Sequence, residues 1–289
     1  MQLLLNGLVS GLAAAVLALA FQLVYLPTRV FYFAMAAVYA ASPFAAWQLM
    51  AWGVPAPAAF AGAIATGTVL SAAMEFLTHG PMDRRRSSFS AQFIASLGFY
   101  IVITQILSAI WGNDPRLLRA TADTVHQFGG LVITESRLIQ AIGCLAIIVA
   151  FFLWLRGTRV GLEFRALSDN ARELAMRGYN ISRLRLTAFA LCGAMTASLA
   201  TLSGLDSGFY SYSGLPMFML AVVAAIIGGR FSFFGAVLGG LLLGVLRAEV
   251  EWFLSPRWVN VSTFVILVLF LLFRPFGIIS KARRVEAEG

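Results

Sequence analysis

The chain has 289 residues, is 60% hydrophobic and only 12% charged, and carries a net charge of +8. A soluble domain holds about 25% charged residues, so this composition excludes one and reads as a polytopic membrane protein, with the basic surplus retaining cytoplasmic loops instead of binding nucleic acid. The apolar runs are continuous and several exceed about 18 residues, whereas barrel strands alternate over about 10, so the expected fold class is all-α: a polytopic membrane helical bundle.

The apolar runs fall at 3–26, 31–52, 55–78, 90–111, 138–155, 184–204, 215–229, 233–254 and 260–273. The first begins at Leu3 with no basic stretch before it and no clear cleavage site, which predicts a retained span. A full crossing needs about 20 apolar residues. The run 215–229 is short and 31–52 is interrupted by Pro43, so both are expected as half-helices or bent elements inside the bundle. Eight to ten membrane elements are predicted, with nine the central number. Gly7/Gly11, Gly235/Gly239 and Gly240/Gly244 have the spacing that lets helices approach closely.

Between the runs, charge sets the sides. Arg84, Arg85 and Arg86 form one basic segment. Arg156, Arg159, Arg165, Arg172, Arg177, Arg183 and Arg185 form a second, and Arg274, Lys281, Arg283 and Arg284 a third. These fourteen of 21 basic residues predict three cytoplasmic segments, including a tail at about 274–289. The loop 112–137 balances Arg116, Arg119 and Arg137 against Asp114, Asp123 and Glu135 and is expected outside. Alternation then puts 205–214, 255–258 and the amino terminus outside, with Arg230 at an inner turn. His79 and His126 are read as isolated loop residues without metal-ligand spacing. Cys144 and Cys192 sit in apolar runs and are expected as buried thiols.

The polar island at about 157–182 predicts a short amphipathic helix. Phe164, Leu167, Ala171 and Leu174 form its apolar stripe, Arg165 and Asp169 are spaced to pair, and Gly178 is placed for a left-handed cap. Such a helix suits either lipid headgroups or a soluble partner. Late in the chain, Arg247, Glu249 and Glu251 approach the end of an apolar run. Arg247 and Glu251 can share a helix face, either as an interfacial pair or as a site for an anionic solute. Asp206–Pro216 is aromatic, polar and broken, which suits an outer mouth around Tyr210 or an interfacial belt. Lys281 is the sole lysine, so no GxxxxGK[ST] phosphate loop exists; HExxH and GxSxG are absent too. No enzyme activity is expected.

Thr158-Arg159-Val160-Gly161, Arg165-Ala166, Ala171, Ala175, Gly178 and Asn180-Ile181 resemble the cytoplasmic loop of the branched-chain amino acid ABC permease family. Phe33-Ala34 and Val38-Tyr39 resemble that family's NFAHGxxYM segment, and Glu75 and Pro81 its ExxxYRPxR loop. Ala224–Gly229 with Gly235–Gly240 resembles AxxLGGxGSxxGAxxGG, and Arg274–Ile278 the closing RPxGLxG. The resemblance runs in order along nearly the whole chain and is nearest to the shorter of the two permease subunits.

The resemblance implies one permease domain, 1–289, in a bacterial inner membrane. It implies a second homologous permease, two cytoplasmic ATPase subunits that bind ATP and magnesium, a periplasmic solute-binding protein and surrounding lipid as partners. No cofactor is expected in this chain. Gly161, Arg165, Ala166, Asn170, Ala175 and Gly178 become the ATPase-coupling positions. Tyr32, Met35, Tyr210, Arg247 and Glu251 become candidates for the translocation pathway. Two departures bear on the solute: Tyr32-Phe33-Ala34-Met35-Ala36 replaces Asn-Phe-Ala-His-Gly, and Arg247 stands where the family has an acidic residue. The expected cargo is a small polar solute, an amino acid or other carboxylate. The competing classes are a stand-alone secondary transporter or channel and a membrane scaffold.

Overall fold

The computed structural model describes residues 2–85, 87–119, 123–128, 131–169, 171–229, 232–254, 258–274 and 277–279. In chain order it runs α1 (Gln2–Thr28), α2 (Met35–Ala51) and α3 (Ala56–Met74), which continues through a π-helical turn (Glu75–His79) into α4 (Gly80–Arg84). Then come α5 (Phe89–Trp111), a hairpin of β1 (Val125–Phe128) and β2 (Leu131–Thr134), α6 (Glu135–Gly157), α7 (Arg159–Asp169) and α8 (Ala171–Met176). The chain closes with α9 (Ile181–Asp206), α10 (Gly214–Gly228), α11 (Phe233–Phe253) and α12 (Val259–Phe273). Six helices among the described residues are long and apolar enough to cross a membrane: α1, α3 with its continuation, α5, α6, α9 and α11. The fold is an all-α polytopic bundle.

Two ends are defined by contacts. At one, the Gln2 side chain clasps Val132 of the hairpin, donating to its carbonyl at 2.7 Å and accepting from its N–H at 2.9 Å. Trp111 at the end of α5 donates to Gln48 near the end of α2 (2.9 Å), and Arg116 bridges Phe209. We call this the hairpin end. At the other, Arg185 of α9 meets Asp83 of α4 at 2.7 Å. Gln22 lies about 30 Å along α1 from Gln2. It donates to the Gly229 carbonyl at 2.8 Å, which brings the turn after α10 to this end as well. Ile278 N–H donates to Ile227 (2.9 Å), so the chain after α12 returns there too. The three arginine-bearing segments therefore share one end, the basic end; Arg86, Arg230 and the tail from 280 onward lie outside the described residues.

The centre is made of α1, α2, α9 and α10. From Ala14 to Ala20, α1 is buried on every side, as a helix apolar all round must be. Close approach is what the glycines supply: a Cβ on Gly244 would run into the Gly11 backbone, and one on Gly240 into Ala14 and Ala15. Gly7 and Gly11 answer from α1 against Val245 and Leu241, while Gly235 and Gly239 pack on Gly228. All three spaced glycine pairs thus join helices within this chain. Peripheral α5, α6 and α12 expose Ile94, Ile142 and Leu272, the faces that hydrocarbon covers.

Two expectations are corrected. Pro43 does not break its element: α2 is helical from Met35 to Ala51 with Pro43 inside, and Ser42 donates its hydroxyl to the Val38 carbonyl at 2.7 Å. The break lies before it, at 29–34, where Arg29 takes φ +58° after α1. Glu75, His79 and Pro81 are not in a loop. They are helical, because the π turn inserts a wider coil and lets the helix run on to Arg84.

Candidate functional site

Two short helices begin beside each other inside the bundle. A Cβ at Gly214, the first residue of α10, would overlap the Ala36 carbonyl of α2. From this point α2 runs toward the hairpin end and α10 toward the basic end. Each start leaves amides without helical partners. Ala34 N–H finds the Ser96 hydroxyl at 2.8 Å. At α10, Ser213 provides no side-chain cap, and its hydroxyl oxygen is buried without a partner.

A cavity of about 910 Å³ lies between this point and the hairpin end, walled by α1, α6, α9, α10 and α11. Small-molecule sites span about 300–1,000 Å³. Tyr39, Gln140, Ser203, Tyr210, Arg247 and Glu251 line it. Gln140 donates to the Ser203 hydroxyl at 2.9 Å, and Arg137 lies 3.9 Å from Asp206 while donating to Asn6 at 3.1 Å. Arg247 and Glu251 both face the cavity, and among the described residues no ion pair joins them. Of the five pathway candidates, Tyr210, Arg247 and Glu251 are brought together here. Tyr32 and Met35 lie apart from it and are buried. The Tyr32 hydroxyl donates to Ser71 (3.0 Å), whose own hydroxyl donates to the Phe189 carbonyl (2.6 Å).

At the basic end the polar island forms two helices, α7 and α8. Thr158 caps α7, accepting from Gly161 N–H at 3.0 Å. Gly161 is buried where a Cβ would strike the Trp154 and Leu155 carbonyls, so α7 folds tightly onto the end of α6. Phe164, Leu167 and Leu174 are buried as the stripe predicts, the latter two against Leu184 and Ile181 of α9. Gly178 has φ +85° and closes α8 with its N–H on the Ala175 carbonyl, while Tyr179 N–H reaches Leu174. Arg165, Ala166, Ala175 and Gly178 are exposed. Asn170 and the side chains of Asp169 and Ala171 lie outside the described residues, and the expected Arg165–Asp169 pair with them. Among the described residues, α7 and α8 have an apolar back fastened to the bundle and a basic outer face.

Sequence reading missed a third group. Arg185 is gripped by Glu75 through Nε to Oε1 (2.8 Å) and Nη2 to Oε2 (3.4 Å), while its Nη1 meets Asp83. The Arg185 and Glu75 side chains are 8% and 6% exposed, and that of Asp83 54%. The available signal was Glu75 inside an apolar run, where a charge needs a partner. At the hairpin end, the Ser136 hydroxyl donates to Asp123, aided by the Ser136 N–H and Arg119, and holds that carboxyl below its usual value. Cys144 and Cys192 are free and buried, as expected. No metal-holding cluster occurs among the described residues.

A family model described as "branched-chain amino acid transport system / permease component" matches residues 3–273. The branched-chain amino acid permease LivH of Escherichia coli K12 is 27% identical, with 97% of this chain and 96% of the relative covered. BraD of Pseudomonas aeruginosa is 26% identical over the same shares. LsrC of Shigella flexneri, an autoinducer 2 import permease, is 33% identical over 131 residues, covering 42% of this chain and 38% of its own. Among solved structures, PsaBC from Streptococcus pneumoniae in complex with Fab superposes with a TM-score of 0.55 at 13% identity, covering 94% of this chain and 91% of that one. That likeness is one of fold.

Proposed function

The chain belongs to the branched-chain amino acid transport permease family, and from that premise we propose that it is the membrane-spanning permease subunit of an ATP-driven importer for a small polar solute, an amino acid or other carboxylate. The cavity near the hairpin end receives the solute from a periplasmic binding protein. The α7–α8 segment docks by its basic outer face into one of two cytoplasmic ATPase subunits, which bind ATP and magnesium. A second homologous permease completes the pathway, and the basic end faces the cytoplasm of a bacterial inner membrane. ATP binding draws the ATPases together, α7–α8 shift as a lever, and the bundle exchanges an outward-open pathway for an inward-open one. This chain performs no covalent step.

One observation carries the reading: a cavity bearing charged and polar side chains near one end of the bundle and an exposed, capped, basic helix at the other. Arg247 and Glu251 offer opposite charges to a zwitterion within that cavity. Relatives named for branched-chain amino acids and for autoinducer 2 support a transport scaffold that serves more than one small polar solute.

The test is purification of the tagged subunit from its native membrane in mild detergent, with mass spectrometry of what accompanies it. Wild type should bring ATPase subunits, and the Arg165→Glu/Gly178→Val double variant should lose them. Recovery of the chain alone, where a known importer stays assembled, would replace this reading with a stand-alone transporter.

A further inference from the structure

We propose that Arg185 is a positioning residue of the transport cycle: through its grip on Glu75 it carries displacement of α7–α8 to the segment that leads into α2. The inference rests on the import reading above.

The first link is apolar. Leu167 of α7 and Leu174 of α8 are clustered with Ile181 and Leu184 in the first turns of α9, so α7–α8 and that end of α9 move together. Arg185 is the next residue after Leu184. The second link is ionic. Both Nε and Nη2 of Arg185 are on the Glu75 carboxylate, and both side chains are buried. A forked guanidinium–carboxylate contact fixes orientation as well as distance, and separating it would strand two charges away from water. The pair therefore transmits displacement more readily than it slips.

The third link starts from the π turn that Glu75 opens, a helix irregularity that concentrates at functional sites. The same turn carries His79, fully buried, with neither ring nitrogen partnered, its ring against Tyr32 and Phe189. Ser71, one turn before Glu75, takes the Tyr32 hydroxyl hydrogen bond and passes its own to Phe189. Tyr32 lies in the non-helical stretch entering α2, and the start of α2 abuts Gly214 of α10. Ser213 beside it lines the cavity. Asp83 also holds Nη1 of Arg185, but its side chain is half-exposed, so water competes for that contact and Glu75 is the partner that carries the displacement.

The experiment uses the complex purified with its ATPases and reconstituted in liposomes, with Met217→Cys, a half-buried position of α10 that lines the cavity, as reporter; the native thiols are buried. The probe is a water-soluble maleimide, and its reaction rate is compared without nucleotide and after trapping with ATP and vanadate. With Arg185 intact, trapping should change the rate at least tenfold. Glu75→Gln and Arg185→Lys should bring that ratio close to one while ATP hydrolysis persists, and Asp83→Asn should shrink it only about twofold. The swap Glu75→Arg/Arg185→Glu should restore part of it. A merely structural pair would lower yield or Tm and leave the ratio alone. Wild-type-like ratios in Arg185→Lys, which keeps the charge and loses the fork, would overturn the proposal even if Glu75→Gln does not fold. If the Arg185 parent neither co-purifies with ATPases nor responds to nucleotide, the import reading itself has failed, and this inference falls with it.

Discussion

Gly178 holds φ at +85°, a backbone region in which any side chain on Cβ crowds the following carbonyl. Gly178→Ala is therefore expected to weaken the end of α8 by about 1 kcal/mol. Hydrogen exchange should show it as roughly fivefold faster exchange at the 178 and 179 amides, whose acceptors lie in α8. This cap was legible from sequence because everything that makes it is local: an apolar stripe that stops and a glycine just past it. The Arg185–Glu75 grip was not, since 110 residues separate its partners and neither neighbourhood points to the other. Pro43 was misread for the opposite reason. Loss of one N–H is a local cost, and a helix buried from Met35 through Phe44, with close neighbours on α3, α9 and α10, absorbs it.

Between α1 and α11 the contact is backbone on backbone, and it tolerates no added volume. Gly244→Leu should destabilise the detergent-solubilised protein by about 1–3 kcal/mol or more, as overpacking does. Gly98→Ala on α5, where a Cβ meets nothing within 4 Å, should be neutral or slightly stabilising. Thermal unfolding followed by tryptophan fluorescence compares the two, and equal shifts in Tm would contradict the packing described above. The spacing of these glycines was visible in the sequence, but their partner was not, because the pattern is the same for a contact within the chain and for one between chains. The shortness of α10 was visible too, from the length of its apolar run. The π turn was not: nothing in Glu75–His79 distinguishes it from ordinary helix.

At the scale of the whole molecule, the arginine bias orders the ends. Asn113→Cys at the hairpin end should react with an impermeant maleimide in intact cells, and Met176→Cys at the basic end only after permeabilisation. The reverse pattern would invert the orientation. Charge made the ends legible, whereas the cavity was only partly so. Tyr210, Arg247 and Glu251 were singled out individually, yet their meeting depends on how α9, α10 and α11 cross, which no single run encodes. The glycine-to-backbone seam also has a mechanical meaning. Helices notched into each other cannot roll or slide, so α1 and α11 travel as one stave. Any bending of the bundle is then left to stretches between helices, such as 30–34 and 208–213. These lead into α2 and α10, so the room left for bending stands where those two helices begin side by side.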